Sequence, residues 1–255
     1  MEARSQSKFA LVVEYDGARY CGFQVQSDAA TIQGELEQAI LKLTGEARRV
    51  MGASRTDAGV HAEGQVASFR TAAPYAADVF VNGLNFYLPE DIAIKAAYKI
   101  EDAFDVRRKA VSREYRYTIL NDRTRSALSR GNAYQVGPEL DTEAMNTACQ
   151  YLCGTHDFAS FVTGPVEVST VRTVYSASVE RMGRTVIFRI IARSFLAHQV
   201  RNTVGALISV GLKKLKTDHV KYLLEAKQAG LARPSVPAHG LVLVKVNYAE
   251  PLGAM

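Results

Sequence analysis

The sequence predicts an α+β fold, with a largely antiparallel mixed sheet shared by two similar α/β halves and flanked by helices. Three observations point to it. Short runs of alternating apolar and polar residues recur along the whole chain. Between them lie stretches whose apolar residues return at helical spacing, and the second half repeats this grammar with no low-complexity linker to divide it from the first. The chain has 255 residues, 47% of them hydrophobic, so it can build its core without disulfide or metal staples.

The first half opens at residues 8–16 with KFALVVEYD, a strand that ends at Asp16-Gly17. Over 31–43, Ile32, Leu36, Ala39, Ile40 and Leu43 recur at helical spacing, with Thr31, Gln33 and Glu35 as capping material. A strand follows at 49–51, then a glycine-bearing loop, then a second alternating run at 65–69. A helix over 76–86 ends before Leu88-Pro89, and 91–95 begins another strand. In the second half, 112–120 (SREYRYTIL) is a strand with an aromatic and cationic face, and 142–152 is a helix. Residues 171–179 and 185–192 form a hairpin around Met182-Gly183, helices cover 198–210 and 218–226, and 241–248 closes the chain as a strand. The boundary falls within 102–110, giving an N-terminal half 1–105 and a C-terminal half 106–255.

Three cysteines, Cys21, Cys149 and Cys153, are too few and too unevenly placed for a disulfide framework. No basic-then-apolar leader opens the chain, and no apolar run approaches the roughly 18 residues that span a bilayer. A soluble, cytoplasmic protein without membrane contact is expected. The net charge is +5, from 31 Lys and Arg against 26 Asp and Glu. That excess is compatible with nucleic acid and is shared by many ordinary enzymes, so it carries weight only where the cations cluster. They do so at Arg107-Arg108-Lys109, at Arg113 with Arg116, at Arg123 with Arg125 and Arg130, and at Lys213-Lys214 with Lys216. Taken singly, each of them is accounted for by a solvated surface.

The stretch GASRTDAGVHAEGQ, Gly52 to Gln65, separates two strand-like runs with more residues than a hairpin turn needs. It lacks the Gly-Lys-Ser/Thr ending of a phosphate-cradling loop, and no GxGxxG opens a helix elsewhere. His61 stands four residues after Asp57 without a HExxH pattern, and Cys149 with Cys153 lacks a second ligand pair. No metal and no cofactor are expected, and the two cysteines read as buried helix positions. Asp57 remains. Gly52 and Gly59 allow a close backbone approach to a ligand or a positive φ, and Arg55 is near enough in sequence to reach the same ligand's phosphate. A carboxylate so presented can serve as nucleophile or base, and in a closed site it needs a cationic partner to stay ionised. A Thr-Asp-Ala-Gly turn, in which Asp57 bonds only its own backbone, explains the same residues.

The run Arg55-Thr-Asp-Ala-Gly-Val-His-Ala62, followed by Gly64-Gln65-Val66, closely resembles the active-site signature of the TruA-type tRNA pseudouridine synthases. The resemblance continues in order along nearly the whole chain. It takes in Glu14-Tyr-Asp-Gly17 with Tyr20, Gly22 and Gln24; Asn82, Asn85 and Leu88-Pro89; Arg113-Glu-Tyr-Arg-Tyr117; Asp157-Phe158 with Ser160-Phe161; Arg172-Thr173; and Phe195-Leu with Val200-Arg-Asn202 and Gly205. It implies that Asp57 is the catalytic carboxylate, that Tyr115 stacks on the target base, that Arg201 pairs with the aspartate, and that Arg55 contacts RNA beside the flipped nucleotide. His61 is left either touching RNA or orienting the loop.

The resemblance further implies a homodimer whose basic clefts grip tRNA, with uridines 38, 39 and 40 of the anticodon stem-loop as substrates. Phe23 stands where many members of that family have Trp, Ser54 where a glycine often precedes the arginine, and Ala197 and Gln199 depart from its later motif. Two other readings use the same residues. A non-catalytic RNA-binding module would explain the Tyr115 and Tyr117 strand but not an anion beside RNA. A glycosidase built on Asp57 and Glu63 would release free base.

Overall fold

The computed structural model describes residues 6–164 and 168–254. Among the described residues, ten strands and five α-helices make an α+β fold with a mixed, mostly antiparallel sheet, as the alternating and helical runs predict. The chain divides into two compact units, one formed by residues up to 111 together with those from 243 onward, the other by residues 112–242.

In the first unit β1 (Ser7–Tyr15) pairs antiparallel with both β3 (His61–Thr71) and β4 (Ile92–Ile100), and the short β2 (Met51–Gly52) pairs with β3. The strand β10 (Leu241–Tyr248) lies on the other side of β3. With neighbours on both sides, β1 is sealed, and Ala10, Leu11 and Val13 are fully buried. The helix α1 (Ile32–Thr44) starts where Thr31 Oγ1 accepts from Gly34 N at 3.2 Å and ends at Gly45, whose N–H bonds Leu41 O at 2.8 Å. Ile32, Leu36, Ala39 and Ile40 form its buried face. The second helix, α2 (Ala77–Tyr87), sends Phe80 against Phe9 and Phe69, with ring centroids 4.6 and 5.3 Å away. Edge and tilted contacts of this kind suit the aromatic quadrupole.

In the second unit β5 (Ala110–Leu120) pairs antiparallel with β9 (Thr185–Ala192), β9 with β8 (Val171–Met182), and β8 with β7 (Gly154–Asp157). The two-residue β6 (Tyr134–Gln135) runs parallel to the end of β5. The helices are α3 (Thr142–Gln150), α4 (Gln199–Gly211) and α5 (His219–Ala226), and Tyr117, Phe158, Phe161 and Phe188 are fully buried in the core. The expected hairpin turns at Gly183 with Met182 opposite Thr185.

Several details differ from the sequence reading. β3 begins at His61, four residues before the expected strand, because its buried partner face extends from Gln65 back to Ala62. β4 runs on to Ile100 against the whole length of β1. α3 stops at Gln150, so Cys149 is a buried helix residue but Cys153 lies beyond the helix and is half-buried. Burial pushes the Cys149 thiol up to about 12, which makes it an inert core residue at neutral pH.

Candidate active site

The loop between β2 and β3 is fixed from both sides by hydrogen bonds to its backbone and to Thr56. Phe23 N donates to Thr56 O at 3.1 Å, Gly59 N donates to Tyr20 O at 3.2 Å, and Tyr15 Oη lies 2.8 Å from Thr56 Oγ1. From the β3 side, the fully buried Gln65 closes a second bracket: its Nε2 donates to Ser54 O at 2.7 Å, and its Oε1 accepts from Ser54 N at 3.2 Å. Thr56 is buried and Asp57 is half-buried, while Arg55 is exposed and its side chain makes no hydrogen bond or ion pair among the described residues. A rigid backbone thus presents one carboxylate and, two residues before it, one uncommitted guanidinium. Positioning of this kind removes conformational entropy before a ligand arrives.

Gly59 takes a positive φ of 76°, in line with the sequence reading. Gly52 serves a different purpose from the one expected. The ring of Phe23 occupies the place where its side chain would be, so that glycine makes room for a core aromatic rather than for a ligand. His61 is buried at the start of β3. Its Nδ1 accepts from Gly17 N at 3.1 Å and lies 2.9 Å from Asp16 Oδ1, which ties the end of β1 to the end of the loop.

Tyr115 and Tyr117 are two residues apart on β5 and so share a face. The Tyr115 ring meets Phe195 edge-on, centroids 5.1 Å apart at 87°. Tyr117 is fully buried and donates its hydroxyl to Pro237 O at 2.8 Å. Burial first and Tyr134 second raise its pKa, while Arg201 opposes them.

Arg201 lies in the first turn of α4, half-buried. Its Nε donates to Val236 O at 2.8 Å, and its Nη1 is 3.4 Å from His198 Nδ1. Arg201 and Tyr117 therefore grip successive carbonyls of one segment. The buried Gln199, one of the departures noted in the sequence, holds the entry to α4 by accepting from Leu196 N at 2.9 Å. His198 reaches that entry in the left-handed region, at φ 60°.

Arg55 and Asp57 thus share one loop of the first unit, and Tyr115 and Arg201 both belong to the second. Two contributors were missed as site residues in the sequence, Gln65 and Tyr117. A polar residue inside an apolar strand and a second tyrosine in step with Tyr115 were the signals that could have found them. Of the basic clusters, Arg107 joins Arg49 and Arg55 around a small cavity of about 80 Å³ beside the loop. A larger cavity in the same unit, of about 640 Å³, is lined by Lys8, Arg48, Arg70 and Arg108, partly neutralised by Asp102 and Asp105. Among the described residues, no group of three or more His, Cys, Asp or Glu side chains could hold a metal ion, and no helix is long and apolar enough to cross a membrane.

A family model described as tRNA pseudouridine synthase matches residues 11–107 and 148–249. A tRNA pseudouridine synthase A of Roseiflexus sp. (strain RS-1) is 47% identical over 245 residues, which is 94% of this chain and 90% of the relative. The tRNA pseudouridine synthase A of Acetivibrio thermocellus is 43% identical over 239 residues, 93% of this chain and 98% of the relative. That of Pseudoalteromonas translucida is 42% identical over 244 residues, covering 95% and 92%.

Proposed function

Because the chain belongs to the tRNA pseudouridine synthase family, an isomerase family, we propose that it converts uridine to pseudouridine at positions 38, 39 and 40 of the tRNA anticodon stem-loop, with Asp57 as the catalytic carboxylate. The observation that carries this reading is the doubly bracketed loop, which holds Asp57 and the uncommitted Arg55 two residues apart on a fixed backbone.

The reaction breaks the bond from uracil N1 to the sugar C1′ and joins C5 to the same carbon. N1 ends with a proton and C5 loses one, so the product has the substrate's mass and no cofactor is consumed. The carboxylate attacks the sugar, attacks uracil C6 or removes a sugar proton; all three routes need it ionised and fixed. Arg201 is the cation assigned to hold that charge. Tyr115 is the floor on which the detached base rests, stacking being worth about 1–3 kcal/mol per base. Its edge contact with Phe195 limits rotation of the ring. Arg55 takes the phosphate beside the flipped nucleotide, whose removal from the stack costs a few kcal/mol.

One site acting at three neighbouring positions has to read shape and backbone rather than sequence. The arginines beside the loop supply the means, and affinity should fall steeply with added salt. A homodimer acting in the cytoplasm completes the proposal.

Unmodified transcribed tRNA incubated with the intact protein and with Asp57→Ala, then digested and separated by chromatography, tests it. Pseudouridine at positions 38–40 with the intact protein, and none with a variant that still binds, is the expected result. Binding by both without product from either would make the chain a non-catalytic RNA-binding relative.

A further inference from the structure

The second unit carries a cavity of about 670 Å³ between the loop that follows β5 and the segment leading into β10. Arg125, Arg130, Tyr134, Gln135 and His239 line it, with no acidic side chain among the lining residues. In this it differs from the large basic cavity of the first unit, where Asp102 and Asp105 stand among the cations.

The loop is shaped from within. Ser126 Oγ and Ser129 Oγ lie 3.1 Å apart, Arg130 Nη1 donates to Ala127 O at 2.6 Å, and Gln135 Nε2 donates to Asp122 O at 3.0 Å. Yet the side chains of Arg125, Tyr134 and His239 make no hydrogen bond or ion pair among the described residues. A guanidinium without a counter-ion, facing a cavity without acids, favours an anion, and its planar fork suits phosphate. Tyr134 and His239 add π faces of the kind that take unstacked RNA bases.

A segment that lines the cavity is also the one that Arg201 holds. Pro237, which lines it, accepts the Tyr117 hydroxyl, and the preceding carbonyl, of Val236, accepts from Arg201.

We propose that this cavity is a second RNA site, which takes one phosphate on Arg125 and Arg130 and the adjoining unpaired base against Tyr134 and His239. The inference rests on the reading of the chain as a tRNA-modifying enzyme and deepens it. The strand that leaves the reacting uridine is held at a second point, so that a flexible anticodon loop is fixed beyond the nucleotide being isomerised.

Fluorescence anisotropy of a labelled, unmodified tRNA transcript over a series of salt concentrations tests this. The full-length protein is compared with Arg125→Ala, Arg125→Lys, Tyr134→Leu and Arg184→Ala, each first checked for an unchanged melting temperature. Arg125→Ala should weaken binding about fivefold and reduce the salt slope by about 1. Arg125→Lys should restore the slope but not the whole affinity, because the fork is lost. Tyr134→Leu should weaken binding about threefold with the slope unchanged, since stacking releases no counterion. Arg184, paired with Asp122 at 2.9 Å and outside the cavity, should matter less than twofold.

Affinity and slope unchanged in Arg125→Ala would overturn the proposal. Failure of the intact protein to form pseudouridine would contradict the functional reading while leaving the affinities to decide on this site. Failure of the intact protein to bind tRNA would overturn both.

Discussion

The loop that carries Asp57 and the helix turn that carries Arg201 are held by opposite constructions. Around Asp57 the fixings are many, and they come from the end of β1, the segment after it and the start of β3. Around Arg201 they reach into the segment before β10. The guanidinium rests on the carbonyl of Val236, 35 residues further along, and Tyr117 reaches the next carbonyl across 120 residues. The first arrangement is closed by contacts within residues 15–66. The second exists only once the segment before β10 has come home. A carboxylate held rigidly and a cation held by a distant segment can thus be disturbed separately, which allows each to be tested alone.

The largest effects should come from two glycines where backbone meets backbone. A methyl at Gly17 would overlap the Val60 carbonyl beside the Asp57 loop, and one at Gly205 would overlap the Pro234 carbonyl beside α4. Neither neighbour is a flexible side chain that can swing away. Gly17→Ala and Gly205→Ala should each lose about 3 kcal/mol in denaturant unfolding; a loss confined to one of them would show that its contact relaxes cheaply.

Next comes Gln65→Leu, which removes the partners of both the Ser54 N–H and C=O at nearly constant volume. About 2 kcal/mol should be lost, with faster amide exchange at Ser54 and no change in the second unit. Tyr117→Phe should cost about 1 kcal/mol by freeing the Pro237 carbonyl, and should leave exchange in the Asp57 loop untouched. Spreading of either effect into the other unit would break the contrast.

The smallest effect is a dependence on pH. Glu46 accepts from Arg48 Nε at 2.9 Å, from Thr71 Oγ1 at 2.6 Å and from Ala72 N, joining the turn after α1 to the end of β3. Foremost among these, the Arg48 bond holds its carboxyl below the ordinary 4.5 despite some desolvation. The folded state therefore binds that proton less readily than the unfolded chain. The stabilisation is complete above 4.5 and is lost as pH falls through the lower folded value. Glu46→Gln should flatten that acid limb when unfolding midpoints are followed from neutral pH to below 4.5, and an unchanged limb would assign it to other carboxylates.

Much of this architecture was legible because it is local. Alternation placed β1, β5 and β9, helical spacing placed α1 and α4, and Thr31 marked the start of α1. The short β6 and β7 escaped notice, since two and four residues carry no period and exist only through their neighbours β5 and β8. The same division holds at the site. Arg55 and Asp57 stand two residues apart in the sequence and their loop advertises itself through its glycines. The grip of Arg201 and Tyr117 on residues 236 and 237 joins segments with no pattern in common, and only folding reveals it. Gly52 shows the opposite hazard, a glycine in a suggestive motif that exists to seat Phe23.

The most direct measurement is a single-turnover assay with Asp57→Asn and saturating unmodified tRNA, following pseudouridine by chromatography and binding by anisotropy. The amide keeps the size of the side chain and removes its charge. Binding equal to that of the intact protein with no detectable product is expected, because the loop is held by its backbone and the chemistry is assigned to the carboxylate. Product formed within about tenfold of the intact rate, a barrier change of only about 1.4 kcal/mol, would contradict the assignment of Asp57 and move the catalytic group elsewhere.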